Sequence, residues 1–450
     1  LQNLTSGAGN VAVGYAALDA VVGGSHNVAV GYDALTTAAG NASHNTAVGR
    51  DALKTHNVDG DGNNTAMGSE AGSAVSTGLN NTIIGSQAGK SFDAESDIVA
   101  IGYQAAGGAI NGANRIIAIG SQSMEGAATQ GGTVCIGYNT GNDLTSGAGN
   151  VLIGYNVGNA LTTGSYNTVV GHEAGDAFAT NTHHNTAVGY MALSASNTSG
   201  DSINVAVGSG ALTALTSGTA NVAVGSNAMY AADGGEDDNI AIGRNALRYL
   251  NHDASAKNIA IGTNAGAGIT TADGNSHNVF IGYDSGSGSS WATDANSQGN
   301  IGIGTGTFTG NHDGAQHNIA IGYSAGNDIT TGDYNTFIGQ DTGALITAGG
   351  SNIAIGATAL DAATTQSLCI AMGYNALTSL NHNDANGTIA IGYLAGEDIT
   401  SGQYNTAIGY QALKETVDGN NNTAVGYNAL MVNTTGSNNT ALGYATLGGS

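Results

Sequence analysis

A five-residue phrase, Asn-x-Ala-Val/Ile-Gly, returns with small variations 25 times along the 450 residues of this chain. Each copy is numbered here from its last residue, the anchor glycine. The anchors run from Gly14 to Gly443; 13 of the 24 spacings are 17 residues, and the longest is 22. A fixed period of this size is typical of a solenoid, in which each repeat forms one coil and packs against its neighbours. We therefore predict one continuous repeat region over residues 1–450, with about 25 coils of 17–22 residues.

The residues just before each anchor alternate in size. The last one is aliphatic or Met in every copy, the one before it is usually Ala, and the third is Val, Ile or Thr. A period of two with β-branched residues favours a strand. The chain has no Pro, which fits a continuous hydrogen-bonded ladder to which Pro could not donate. The expected fold is all-β, a parallel β-solenoid or β-roll, with a second short strand after each anchor, as at 328–331 and 398–401.

An Asn stands four residues before the anchor in 20 of the 25 copies. Asn side chains hydrogen-bond nearby backbone in turns, and stacked copies can form an amide ladder. We expect a structural ladder at a corner of the coil, with members that include Asn27, Asn45, Asn64, Asn167, Asn185, Asn405, Asn422 and Asn439. His or Tyr often precedes this Asn, and a His that alternates with Tyr favours a structural role over metal binding or catalysis.

A Tyr follows the anchor in 13 copies. The longest consecutive run is Tyr374, Tyr393, Tyr410, Tyr427 and Tyr444. On stacked coils these rings are expected to form an aromatic ladder with a spacing of about 5 Å. Two interpretations stay open: packing at a seam between subunits, which we favour, and an aromatic stripe that binds a partner.

The sizes of the residues four and seven positions after the anchor are related. Four residues after it the chain has Gly in ten copies and Leu in eleven. Seven residues after it, nine of the ten Gly copies carry a large apolar residue, such as Ile329 in the copy with Gly326. Since interiors are close-packed, we predict one core pocket per coil, filled from either position.

Charge and hydropathy exclude several classes of partner. The net charge is −24, from 32 acidic and 8 basic residues, and no basic run occurs. Nucleic acid and anionic membrane surfaces are therefore not expected partners. No apolar run approaches the roughly 20 residues of a membrane span, so we expect no membrane insertion here. Cys135 and Cys369 lie too far apart along a straight solenoid to pair, and we expect both to be buried fillers.

Signals for chemistry are weak. No catalytic triad, phosphate loop or cofactor motif stands out, so we predict that the chain is not an enzyme and needs no cofactor. Asp59, Asp61 and Asn63 are weak candidates for calcium, because they lack the oxygen-ligand spacing of a known loop. The only Trp, Trp291, lies in the longest repeat and could mark a contact site.

A coil this thin buries little surface of its own. We expected the small Ala of each strand to face a partner chain at close range, which predicts three identical chains side by side. The segment Leu4–Asn10 repeats Leu144–Asn150, so the chain starts in mid-repeat. We expect it to be part of a longer protein, whose secretion signal or anchor lies elsewhere.

The phrases Asn258–Gly262 and Asn318–Gly322 resemble the head repeats of trimeric autotransporter adhesins of the YadA type. The longer form, Asn405–Leu413, is similar to repeats of large bacterial surface proteins and of phage fibres. The resemblance covers essentially the whole chain. It implies a left-handed β-roll in a homotrimer, exposed on a cell surface or outside the cell, with a host glycan or matrix protein as partner. We expect a structural and adhesive fibre; the alternative is the receptor-binding shaft of a phage or virus tail fibre.

Overall fold

A computed structural model describes residues 3–37, 40–178, 181–197, 200–253, 255–270, 274–288, 297–382 and 385–447. The chain divides into two compact units, Leu1–Ala220 and Asn221–Ser450. Within the described residues each unit is all-β and contains no helix. Each unit is a parallel β-solenoid, in which one repeat of the sequence forms one coil.

Among the described residues, unit 1 has twelve strands of three residues and one pair of two-residue strands. They are β1 (Val11–Val13), β2 (Val28–Val30), β3 (Thr46–Val48), β4 (Thr65–Met67), β5 (Thr82–Ile84), β6 (Val99–Ile101), β7 (Ile117–Ile119), β8 (Val134–Ile136), β9 (Val151–Ile153), β10 (Thr168–Val170), β11 (Thr182–His183), β12 (Thr186–Val188), β13 (Gly200–Asp201) and β14 (Val205–Val207). β11 pairs with β13 in a small separate sheet. The other strands pair in parallel from each repeat to the next, from β1 with β2 to β12 with β14.

Among the described residues, unit 2 has thirteen strands of three residues. They are β15 (Val222–Val224), β16 (Ile240–Ile242), β17 (Ile259–Ile261), β18 (Val279–Ile281), β19 (Ile301–Ile303), β20 (Ile319–Ile321), β21 (Thr336–Ile338), β22 (Ile353–Ile355), β23 (Ile370–Met372), β24 (Ile389–Ile391), β25 (Thr406–Ile408), β26 (Thr423–Val425) and β27 (Thr440–Leu442). The register aligns equivalent residues of successive repeats, as in the pairing of Ala407 with Ala424.

The ladder between coils extends beyond the strands. Around the anchor Gly31, the N–H of Gly31 donates to the carbonyl of Val13 and that of Asp33 to the carbonyl of Tyr15, at 2.8 and 3.0 Å. Leu35, in the following turn, donates to Ala52 of the next coil at 2.9 Å. Backbone donors are thus in use around much of the coil, which explains why the sequence avoids Pro.

Both the backbone conformation and the space at the anchor position require glycine. Gly31 has φ of +143°, which side chains rarely tolerate. A Cβ at Gly31 would also lie 2.3 Å from the carbonyl oxygen of Gly49, the anchor of the next coil. The backbones of successive coils therefore approach each other closely at the end of each strand.

The strands face the opposite way from our expectation. The central residue, usually Ala, is buried in every three-residue strand except β1, whereas the residues on either side of it are half-buried or exposed. The prediction that this Ala faces a partner chain is wrong, because Ala29 and its equivalents lie inside the coil's own core. The outer face of the sheet consists of Val, Ile and Thr, together with Met67, Met372 and Leu442.

The second strand of each coil is also a wrong prediction. Residues 328–331 and 398–401 form turns and bends rather than strands. This side of the coil still bonds to its neighbour, since the N–H of Thr330 donates to Thr347 at 2.9 Å. The turn that precedes this stretch has left-handed backbone two and four residues after the anchor, as at Asp33 and Leu35, each with φ of +53°.

Three positions share the core of a coil: the strand centre, the residue four after the anchor, and the residue seven after it. At Gly89 and Gly175 an added Cβ would contact Phe92 and Phe178, seven residues after the anchor, which confirms the predicted shared pocket. At Gly326, however, the three nearest atoms belong to Phe337, Phe308 and Ala320 rather than to Ile329.

The predicted relation between the residues four and seven after the anchor left out the strand centre, which shares the same core space. Each coil with a residue larger than Ala at its strand centre has Gly four after the anchor; these centres are Ile83, Cys135, Leu152, Val169, Phe280 and Phe337. The coil with Gly302 at its strand centre has Phe308 in the turn, and a Cβ on Gly302 would lie 2.9 Å from that ring. A large side chain at the strand centre is thus accompanied by a small residue in the turn, and the reverse, so that the filled volume of the core stays nearly constant.

Candidate functional surfaces

The asparagine ladder lies buried at one corner of the coil. Asn27 Oδ1 accepts from the backbone N–H of Asn45 at 3.0 Å, while Asn27 Nδ2 donates to the carbonyl of Ala42 at 2.7 Å. Each of the predicted ladder residues named here, except the last, Asn439, likewise accepts from a backbone N–H of the following coil. The other predicted members take the same place and are buried, except that Asn439 is half-buried; they are Asn45, Asn64, Asn167, Asn185, Asn405 and Asn422. The ladder satisfies backbone that the corner leaves unpaired.

Side chains that replace Asn in the ladder interrupt it. Asn81 Oδ1 still accepts from the N–H of Ile98 at 3.0 Å, but Ile98 offers no acceptor to the next coil. In unit 2 the Cys369 N–H donates to Asn352 Oδ1 at 3.0 Å, so this thiol occupies a ladder position. Cys369 and Cys135 are both buried and free, which confirms the filler prediction, and burial raises the pKa of Cys135 to about 12.

The outer strand face is formed by the first and third residues of the three-residue strands. It carries no charged residue in either unit. In unit 2 its side chains include Ile353, at the first position of β22, and Ile391, at the third position of β24, which are 40% and 37% exposed. Thirteen coils at a spacing of about 4.8 Å make this face of unit 2 about 60 Å long and about 10 Å wide. An uncharged aliphatic surface of this extent on a chain with a net charge of −24 is typical of an interaction site.

A tyrosine column runs beside this face. The rings of Tyr374, Tyr393, Tyr410, Tyr427 and Tyr444 stack with centroid distances of 5.6, 5.1, 4.9 and 5.2 Å. Interplanar angles of 5–14° leave the ring edges, rather than their faces, toward solvent. A shorter column in unit 1 contains Tyr138, Tyr155, His172 and Tyr190. The half-exposed rings extend the aliphatic face sideways.

The His/Tyr position before the ladder lies on the outer side of the same corner. His26 stacks on His44 at 5.0 Å, and Tyr166 on His184 at 5.4 Å. His44 Nδ1 also lies 2.9 Å from Asp61 Oδ1. His and Tyr therefore serve the same stacking role.

The calcium candidates do not converge on one point. Asp59 Oδ1 accepts from Asn41 Nδ2 at 2.7 Å, Asp61 contacts His44, and Asn63 Nδ2 donates to Asn80 at 3.4 Å. No group of three or more His, Cys, Asp or Glu side chains that could hold a metal occurs among the described residues. Trp291 lies outside the described residues.

Two histidines are buried in the core instead of at the corner. Burial lowers the pKa of His56 to about 4 and that of His312 to about 3. His312 packs edge-on against Phe308, with ring centroids 5.3 Å apart. Both take space that apolar residues fill in other coils.

Both units contain a cavity among their described residues. In unit 1 a cleft of about 500 Å³ lies between the turns 91–95 and 109–114. Both carboxylate oxygens of the buried Glu95 are used there, since Oε2 accepts from the N–H of Asp93 and Oε1 from that of Gly112 at 2.7 and 2.9 Å. Glu95 thus acts as a brace for two turns.

The cavity of unit 2, of about 290 Å³, lies on the turns after β16, β17 and β18. Its residues include Asn245, Arg248, Asn264 and Asp284. The sequence analysis missed it because the site depends on residues from three coils. The sequence does contain a sign of the cavity. At the position five residues after the anchor, the long side chain of Arg248 is followed in the next two coils by the short side chains of Ala267 and Ser287.

Comparison with known proteins gives no matching family model and no similar curated protein. Across the described part of the chain no helix is long and apolar enough to cross a membrane. Evidence on function therefore comes from the structure of the coil and from its surfaces.

Proposed function

We propose that this chain is a structural and adhesive segment of an extracellular or cell-surface fibre, in which three copies lie side by side. The observation that carries the proposal is the outer strand face, which repeats the same uncharged aliphatic surface from coil to coil. A stack of equivalent coils is suited to bear load and to present repeated contacts. The resemblance to adhesin heads supports the trimer and the location.

The size of the outer strand face supports self-association. About 60 Å by 10 Å on unit 2, widened by the tyrosine column, approaches the roughly 800 Å² per partner of a standard interface. The acidic residues, which would repel between copies, lie outside the three-residue strands that form this face. Like chains can therefore meet on this face despite their net charge. This replaces the Ala-lined contact expected from the sequence.

Sedimentation equilibrium at micromolar concentration tests the assembly. The wild type should have three times the chain mass of 44.1 kDa. Ile391→Lys combined with Ile408→Lys places two charges on the outer strand face and should shift the mass to that of one chain. The matched control combines Val417→Lys and Val432→Lys, exposed residues on the returning side of the coil, and should stay trimeric. A monomeric wild type contradicts the proposal.

A further inference from the structure

We propose that the tyrosine column of unit 2 is a site of oxidative cross-linking, at which a haem peroxidase with hydrogen peroxide joins tyrosines of successive coils as dityrosine. The column contains Tyr374, Tyr393, Tyr410, Tyr427 and Tyr444. The inference goes beyond the proposed fibre, because it concerns covalent bonds within one chain and does not require copies of the chain to associate.

The stacking of the column brings the reacting carbons of neighbouring rings close together. Centroids of neighbouring rings lie 4.9–5.6 Å apart, with interplanar angles of 5–14°. Because each ring is related to the next by one coil, equivalent ortho carbons also lie about 5 Å apart. Two radicals on neighbouring coils are therefore at a high effective concentration relative to radicals on separate molecules. This geometry favours coupling between successive coils of one chain.

The rings of the column are accessible to an oxidant. The five tyrosines are 40–78% exposed, and their stacking leaves the ring edges toward solvent. The ortho carbons and the phenol oxygen belong to the ring edge. An exposed edge also leaves two neighbouring rings room to tilt until their ortho carbons meet. Access for a one-electron oxidant and close contact with a second phenol thus occur at the same side chains.

The cross-linking reaction balances with one hydrogen peroxide for each bond. The peroxidase removes one electron and one proton from each of two phenols, and the two radicals form a carbon–carbon bond between their ortho carbons. The hydrogens on the two bonded carbons then move to the phenol oxygens, which restores both aromatic rings. The two electrons and two protons reduce hydrogen peroxide to two molecules of water.

Cross-links along the column join successive coils covalently. Each phenol has two ortho carbons, so a ring inside the column can bond to both of its neighbours. The bonded tyrosines are 17 residues apart in sequence, or 19 for Tyr374 and Tyr393. A cross-link that closes such a loop lowers the entropy of the unfolded chain. Oxidation therefore stabilises the C-terminal coils against unfolding.

Unit 2 also contains exposed tyrosines at the same position without a stacked neighbour. Tyr283 and Tyr323 each follow an anchor glycine and are 55% and 58% exposed. Thr305 stands between them on the intervening coil, and Thr263 and Gln340 stand on the outer sides. If stacking rather than exposure determines the reaction, dityrosine forms in the column and not at Tyr283 or Tyr323.

Oxidation of the full chain with a haem peroxidase and hydrogen peroxide tests the site. Dityrosine fluorescence measures the yield, and mass spectrometry of proteolytic peptides identifies the bonded residues. Cross-links should join neighbours within the column, and oxidation should raise the urea concentration at which unit 2 unfolds. Thr305→Tyr should create new cross-links to Tyr283 and Tyr323. Thr305→Phe, which adds a ring without a phenol, should not.

Tyr410→Phe provides a second test, because it should reduce the four possible cross-links of the column to two, Tyr374 with Tyr393 and Tyr427 with Tyr444. The same cross-links as in the wild type should form in the variant that combines Ile391→Lys and Ile408→Lys, so failure of self-association and failure of cross-linking are distinguishable. Absence of dityrosine from the column, equal yields at Tyr283 or Tyr323 of the wild type, or cross-links that mainly join separate chains would overturn the proposal.

Discussion

Because the strand centre and the turn fill one core space, substitutions at the two positions should have coupled effects on the free energy of unfolding. In the coil anchored by Gly339, Phe337 is fully buried, and a Cβ on Gly343 would lie 2.7 Å from its ring. Phe337→Ala should leave a cavity and cost about 3–5 kcal/mol. Gly343→Leu beside an intact Phe337 should cost about 1–3 kcal/mol through overpacking. Additivity would therefore give about 4–8 kcal/mol for the double variant.

The structure predicts a much smaller loss for the double variant, because the coil anchored by Gly373 already has this arrangement. That coil holds Ala371, Leu377 and Leu380, all fully buried. The backbone also accepts the change, since Gly343 has φ of +57° and Leu377 has φ of +52°. Phe337→Ala with Gly343→Leu should thus lie within about 2 kcal/mol of the wild type, a coupling of about 2 kcal/mol or more.

Urea unfolding followed by circular dichroism measures the free energies of the four proteins in this cycle. The control cycle combines Phe337→Ala with Gly396→Leu, where the nearest atoms belong to Ile399 and Leu377 rather than to Phe337. These two changes should add. Additive losses for Phe337 and Gly343 as well would refute the idea that the strand centre and the turn fill one space.

Four further predictions concern the ladder, the anchors, the buried histidine and the thiols. Replacing Asn405, Asn422 and Asn439 together with Ala should destabilise the C-terminal coils by about 1–3 kcal/mol per lost buried partner, and unchanged hydrogen exchange there would contradict this. Gly409→Ala should lower the melting temperature more than Gly60→Ala; both glycines have φ of +134°, but only Gly409 would place its Cβ near backbone, 2.4 Å from the Gly426 oxygen. Because the folded pKa of His56 is lowered to about 4, protonation favours the unfolded chain, so stability should fall by up to about 1.4 kcal/mol per pH unit as pH drops from about 6.5 to 4; His56→Thr should remove this part of the slope in pH-dependent urea titrations. Cys135 and Cys369 should resist a thiol reagent at pH 8 and react fully in urea, and rapid reaction of the folded chain would show that they are accessible.

The sequence predicts the period, the strands and the alignment of repeats, because each depends on residues close together in the chain. The orientation of the strand does not follow from the same pattern. Alternation separates two faces without saying which one is inside, and Ala29 is small enough to suit either a core or a close contact between chains. The core accepts it because Leu35 and its equivalents supply the missing volume from the turn.

The left-handed backbone of the turns could not be predicted from the residue types at those positions. Leu413 has φ of +53°, a conformation usually signalled by Gly or Asn rather than by Leu. Burial of the Leu side chain offsets the backbone cost. The cavity of unit 2 was missed because it depends on side chains that Ala267 and Ser287 lack.

The distance gained per repeat is the most direct test of the solenoid in unit 2. Pairs of spin labels can be placed on the half-exposed tyrosines Tyr283, Tyr323 and Tyr374, each with Tyr444, after Cys135 and Cys369 have been replaced by Ala. These pairs span nine, seven and four coils. At about 4.8 Å per coil, pulsed electron resonance should give distances of about 43, 34 and 19 Å. Distances that do not increase in proportion to the number of coils would contradict the architecture on which the account depends.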